Sequence, residues 1–179
     1  MGWLRKSRTL LHEGPVVRLY QDDVVRPDGK RGLYSHVAVT DGVRVVALDE
    51  QGRVALVEDD FYLQGRRMVH LPGGGCEGQA PLDAATRELA EETGLASANL
   101  QMLGIIDPLP AITSARTSLV LATDLRHGQV RRDATEVGMT MQWLPLCDAV
   151  EAVVTGEISE SGSVAGLLLA ERRLGQRRR

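Results

Sequence analysis

The chain has 179 residues, of which 43% are hydrophobic and 25% charged, with a formal net charge of −3 and a pI near 5.8. That length supports one good core with a subsidiary sheet and excludes two independent large domains. Mild acidity argues against a general nucleic-acid binder, and two cysteines, Cys76 and Cys147, are not a disulfide framework.

The opening stretch, MGWLRKSRTLLHEGP, has basic side chains but neither an adequate apolar run nor a small-residue cleavage site, so no signal peptide is expected. Lys6 stands where a myristoylation signal needs Ser or Thr. No later run approaches the ~20 apolar residues of a membrane span, and cytoplasmic residence is the default expectation. PVVRLYQDDVVRPDG reads as a strand pair or a strand and turn, broken at Pro27, Asp28 and Gly29, and LYSHVAV at 33–39 alternates as a strand. VRVVALD, a DEQGR turn and VALVEDD read as two apolar strands joined as a hairpin. Residues 73–95 combine a glycine-rich loop with a helix that has Pro81 in its first turn and Gly94 just past its last. Three further apolar runs, 100–106, 117–122 and 139–144, have strand character. After Pro145 the pattern turns helical: DAVEAVVTG stops at Gly156, and Ser163 is the expected cap of VAGLLLAERRLG, which stops at Gly175. The five arginines among residues 172–179 read as a solvated terminus, since arginine outnumbers lysine 19 to 2 throughout the chain. One central helix in a strand-rich chain with late helices gives an α+β class.

The chemistry concentrates in RELAEETGL. At roughly 100° of rotation per residue, Glu88, Glu91 and Glu92 share one helix face and repel unless a cation sits between them. Hard oxygen donors in such a cluster suit Mg²⁺ or Mn²⁺. Arg87, four residues before Glu91, pairs along the helix, but an exposed pair of that kind is worth only ~0.3 kcal/mol and does not neutralise three acids. The side chains of Glu88 and Glu92 are expected to face the surface. Upstream, Gly73, Gly74, Gly75 and Gly78 bring backbone without Cβ bulk to the helix entrance, where amides and carbonyls can meet a diphosphate and its metal.

Loop and helix together resemble a Nudix box: G, five residues, E, seven residues, RE, an apolar residue, any residue, EE, any residue, G, apolar. Gly73, Arg87, Glu88, Leu89, Glu91, Glu92, Gly94 and Leu95 match in register, while Gln79 stands at the first Glu. The resemblance implies hydrolysis of a nucleoside diphosphate linked to another moiety. It places the divalent ions on Glu88, Glu92 and Glu91, with the Gly73 carbonyl as a further ligand and Gly74 and Gly75 in the substrate-binding loop. Gln79 still accepts a hydrogen bond from Arg87, but without charge assistance.

RPDGKRG, VRVVALDEQGRVALVE, GRRMVHLPGG, WLPLCDAVEAVVTGEIS and SVAGLLLAERRL are similar in order and spacing to the ADP-ribose pyrophosphatase branch, as is Pro110, fifteen residues beyond Leu95. That likeness implies an α/β/α sandwich around a central mixed sheet at 41–179. Residues 1–40 then supply extra strands, a small sheet contributing to a homodimer. Where the branch has a basic and aromatic strand end, this chain has Glu58, Asp59, Asp60 and Phe61, and acids there repel a diphosphate. Arg66 and Arg67 are the candidate replacements, and Tyr34, Phe61 and Tyr62 the candidate stacking partners for a base. In the branch a carboxylate outside the box takes the proton of the attacking water; the candidate is Glu136, with Asp133 its competitor. The implied function is Mg²⁺- or Mn²⁺-dependent cleavage of ADP-ribose or a related nucleoside diphosphate sugar into a nucleoside monophosphate and a sugar phosphate. The alternatives are hydrolysis of nucleoside triphosphates or dinucleotides, and a non-catalytic ligand-binding module, the latter motivated by Gln79 and the acids at 58–60.

Overall fold

A computed structural model of the protein describes residues 2–128 and 138–176. The chain forms two compact units, residues 1–40 with 107–115, and residues 41–106 with 116–179.

In the first unit, β1 (Leu4–Glu13), β2 (Arg18–Val25) and β3 (Arg31–Ala38) make an antiparallel sheet in that order. The β2–β3 turn follows from Pro27-Asp28-Gly29: Gly29 has φ 80° and its N–H donates to the Arg26 carbonyl at 2.9 Å. Within these strands only Asp22 and Val24 are buried, and Asp22 is offset by a bidentate Arg8 at 2.8 and 2.9 Å. Segment 107–115 joins through Val37 N–H to the Ile112 carbonyl at 2.8 Å and the Tyr34 hydroxyl to the Ala111 carbonyl at 2.7 Å.

The second unit runs β4 (Gly42–Ala47), β5 (Arg53–Phe61), β6 (Arg66–His70), α1 (Pro81–Thr93), β7 (Leu95–Ile106), β8 (Thr117–His127), β9 (Thr140–Pro145), α2 (Leu146–Val154) and α3 (Ser161–Gln176). Its strand layer is mixed. One sheet, β4-β8-β7, has a parallel β4–β8 pair and an antiparallel β7–β8 pair; the other, β6-β5-β9, is antiparallel. Period-2 alternation sends Val43, Val45, Ala47 and Ala55 against Ala84, Ala85 and Leu89 of α1, and Val46, Val54 and Leu56 against Ala149, Ala152, Leu167 and Ala170 of α2 and α3. The strands are thus covered on both faces, which gives the expected α/β/α layering and explains why they read as continuous apolar runs. No helix among the described residues is long and apolar enough to cross a membrane.

Two local expectations are corrected. β4 and β5 do not form a hairpin: beyond the turn they share only the isolated Leu48–Val54 bridge. The reason is that both edges of β4 are taken, one by β8 and the other by loop carbonyls, with Val43 N–H on Gly74 at 2.9 Å and Val45 N–H on Pro72 at 2.8 Å. Nor does Ser163 cap α3. The Glu160 carboxylate accepts from the Gly162 and Ser163 amides at 2.9 and 2.7 Å and from the Ser163 hydroxyl at 2.7 Å, and the helix begins at Ser161, three residues earlier than a Ser163 cap would have it. Ser163 is buried inside the helix, where its Oγ also accepts from the Leu71 amide at 2.8 Å.

Candidate active site

The pairing that denies β4 to β5 fixes the glycine loop. Residues 72–76 lie along β4, with the Cys76 amide donating to the Asp41 carbonyl at 2.7 Å and Gly42 bridged to Gly75. Gly73 has φ 141°, and a Cβ there would overlap the carbonyl oxygen of Val43, a backbone atom that cannot step aside. Gly73→Ala is therefore expected to cost roughly 2–4 kcal/mol of stability by urea denaturation. A loss no larger than that of an ordinary surface substitution would contradict this. At Gly74, a Cβ would stand 2.5 Å from Oε1 of Glu88, so this glycine keeps room for a carboxylate.

Helix α1 starts at Pro81 after an extended Ala80 and ends at Gly94, whose left-handed φ of 70° lets its N–H reach the Ala90 carbonyl at 3.0 Å. Its inward arc holds Ala84, Ala85 and Leu89, and Glu88 and Glu92 ride on the same arc. Both acids are buried, 6% and 4% exposed, where a surface position was expected. Burial of a carboxylate needs donors. The Gly73 amide donates to Glu92 Oε2 at 3.0 Å, and Arg87 Nη2 lies 2.9 Å from Glu88 Oε1. Glu91 sits at the rim, its side chain 36% exposed and paired with Arg87 Nη1 at 2.9 Å. The same guanidinium donates to Gln79 Oε1 at 3.1 Å and to the Gly75 carbonyl at 2.7 Å. Arg87 thus ties two box acids to both ends of the loop, and Gln79 accepts its hydrogen bond as expected for a neutral substitute.

A second charged pair borders the loop. Arg44 donates from Nε to Glu160 at 3.1 Å and from Nη1 to the Gly73 carbonyl. Burial alone would raise the Glu160 pKa, but Arg44, the Ser163 hydroxyl and the Gly162 and Ser163 amides hold it at about 2. Arg44 and Glu160 were not singled out from the sequence; the available signal was a lone charge inside the apolar strand VRVVALD. A cleft of about 280 Å³ opens here, lined by Arg44, Asp59, Phe61, His70, Gly73 and Glu92 among others.

The other expected residues fall as follows. Arg67 on β6 is held by Glu58 and Asp60 of β5, both at 3.4 Å, and by the Glu58 and Gly138 carbonyls at 3.0 and 3.3 Å. Arg66 donates to Ser159 Oγ at 3.0 Å. Phe61 meets His70 edge to face at 5.2 Å, Tyr62 is exposed, and Tyr34 in the first unit packs on Trp3. Glu136 and Asp133 lie outside the described residues. No group of three or more His, Cys, Asp or Glu stands ready to hold a metal among the described residues. A divalent cation nonetheless fits the donor chemistry: two carboxylates buried one helical turn apart, beside a glycine whose missing Cβ leaves one of them its place.

The NUDIX domain family model matches residues 39–161. The chain belongs to the Nudix family. Over 165 residues this Nudix chain is 34% identical to the ADP-ribose pyrophosphatase of Mycobacterium tuberculosis, covering 90% of the chain and 80% of that protein. It is 28% identical over 171 residues to the CMP-5'-(N-acetyl-N-hydroxy-3-aminopropyl)phosphonate hydrolase of Streptomyces rubellomurinus, covering 94% and 82%. A solved ADP compounds hydrolase matches with a TM-score of 0.86 at 18% identity, over 99% of the Nudix chain and 96% of the other, a likeness of fold.

Proposed function

We propose that this Nudix protein is a Mg²⁺- or Mn²⁺-dependent pyrophosphohydrolase that cleaves ADP-ribose or a related nucleoside diphosphate sugar into a nucleoside monophosphate and a sugar phosphate. The observation that carries the reading is the buried pair Glu88 and Glu92 set against the glycine loop. Glu88 and Glu92 would hold the cation, with Glu91 and the Gly73 carbonyl as further ligands. Bound there, the ion would lower the pKa of a water, neutralise charge developing at phosphorus and align the attack. Arg87 holds Glu88 and Glu91 in place, Gly74 and Gly75 let backbone approach the diphosphate, and Arg66 and Arg67 supply cationic contacts to it. Glu136 accepts the proton of the attacking water, and Glu136→Gln should lower kcat by roughly 10² to 10⁴ with little change in KM. Asp133→Asn should do much less; the reverse order would move the base to Asp133.

The test is a substrate panel with Mg²⁺ and with Mn²⁺, scored by product identity: ADP-ribose, other nucleoside diphosphate sugars, a CMP-linked phosphonate, nucleoside triphosphates and dinucleotide polyphosphates. Preference for the last two classes would replace the substrate assignment. Binding without turnover of any compound would make the protein a ligand-binding module.

The same reading includes a homodimer built on the first unit. Strand β1 is exposed along its whole length and carries Leu4, Leu10 and Leu11, a hydrophobic edge that would otherwise invite aggregation. Light scattering at micromolar concentration should give twice the chain mass; a monomer would sink this part.

A further inference from the structure

His70, directly before Leu71-Pro72 and the glycine loop, is only 3% exposed. Its Nδ1 lies 2.9 Å from the Leu71 carbonyl oxygen. A carbonyl only accepts, so Nδ1 carries the proton and Nε2 of the neutral ring is a bare lone pair. Burial, followed by the charge of Arg44, lowers the imidazole pKa and favours that neutral ring. Nε2 meets no hydrogen-bond partner among the described residues. A buried polar atom in this state calls for a partner beyond the described residues.

The register of β5 and β6 supplies a companion. Val57 faces His70 and Asp59 faces Met68, so Asp59 and His70 share one face of the pair as diagonal neighbours. Glu58 and Asp60, of opposite parity, take Arg67. Asp59 is left half-buried in the same cleft as His70, Arg44 and Gly73, with no ion pair among the described residues. His70 Nε2 and the Asp59 carboxylate therefore both meet this cleft as hydrogen-bond acceptors. A phosphate, which brings acceptors and negative charge, does not suit these two groups. Neutral hydroxyls suit them.

We infer that His70 Nε2 and the Asp59 carboxylate form a subsite for the hydroxyl groups of the sugar phosphate half of the substrate. The inference rests on the nucleoside diphosphate sugar reading for the identity of that half, but its test does not need turnover. D-ribose 5-phosphate, ethyl phosphate and phosphoethanolamine are titrated, with Mg²⁺, into the full chain labelled with ¹⁵N at its histidines. Saturation with ribose 5-phosphate should move the unprotonated Nε2 resonance of His70 toward lower frequency as it accepts a hydrogen bond, and ethyl phosphate should leave it in place. Asp59→Asn should weaken ribose 5-phosphate binding roughly tenfold while changing ethyl phosphate binding less than about twofold. Failure of ribose 5-phosphate to bind or an unmoved resonance at saturation would overturn the inference, as would an equal response to ethyl phosphate or tighter binding of phosphoethanolamine. ADP-ribose turnover is scored separately: the expected shift with no hydrolysis keeps the subsite and removes the hydrolase.

Discussion

Glu88→Gln and Glu92→Gln are each expected to lower kcat by roughly 10³-fold, equivalent to about 4 kcal/mol of barrier, in a protein that stays folded. Holding a divalent ion requires charge, which an amide lacks. Folding does not require it here. Gln at 92 still offers an oxygen to the Gly73 amide, and neutralising either member of a buried pair of like charges removes repulsion. The melting temperature without added metal should therefore hold or rise in Glu92→Gln, and fall only modestly in Glu88→Gln, where Arg87 loses one charged partner but keeps Glu91, Gln79 and the Gly75 carbonyl. Mg²⁺ or Mn²⁺ should raise the melting temperature of the wild type by linkage and do so much less in either variant. Turnover and melting curves measured on the same preparations decide it: near-normal rates in either variant would remove the metal-binding role of these residues, and unfolding would show that the loss of rate has a different origin.

The largest effect on stability is expected from Glu160→Ala. This change removes three hydrogen bonds at the start of α3 and leaves Arg44, whose side chain is 15% exposed, without its carboxylate. Breaking a pair buried to that degree by removing one member costs roughly 3–5 kcal/mol. The pH dependence gives an independent check. The folded-state pKa of Glu160 is about 2 against an ordinary 4.5, a depressed carboxylate, so its contribution is fully present above 4.5 and lost as pH falls through 2. The stability gap between wild type and variant, from urea unfolding, should then narrow by roughly 2 kcal/mol from pH 7 to pH 3. A gap that stays constant would mean that the Arg44–Glu160 pair contributes no linked stability.

What the sequence determined by itself is local. Pro81, Gly94 and the spacing of Glu88, Leu89 and Glu92 define α1, because each acts within a turn or two of its own position. Short apolar runs between turn residues were enough to place most strands, and the reach of an arginine side chain back over its own helix and loop was enough to pair Arg87 with Gln79. The orientation of α1 was misread: Glu88 and Glu92 were expected at the surface, but Ala84, Ala85 and Leu89 share their arc, so the acids follow the apolar residues inward.

Tertiary structure decided which edge pairs with which and which charge meets which. A strand's pattern shows that its faces are apolar but not what takes its hydrogen bonds, and β4 gave its two edges to β8 and to the glycine loop instead of to β5. Arg44 and Glu160 lie 116 positions apart, and neither carries a local signal of the other. The same holds for His70 and Asp59, which share a face only because β5 and β6 pair in one register, and a one-residue slip would have sent them to opposite faces. Periodicity is a property of the chain near a residue, whereas edge pairing and charge compensation depend on segments brought together only by folding.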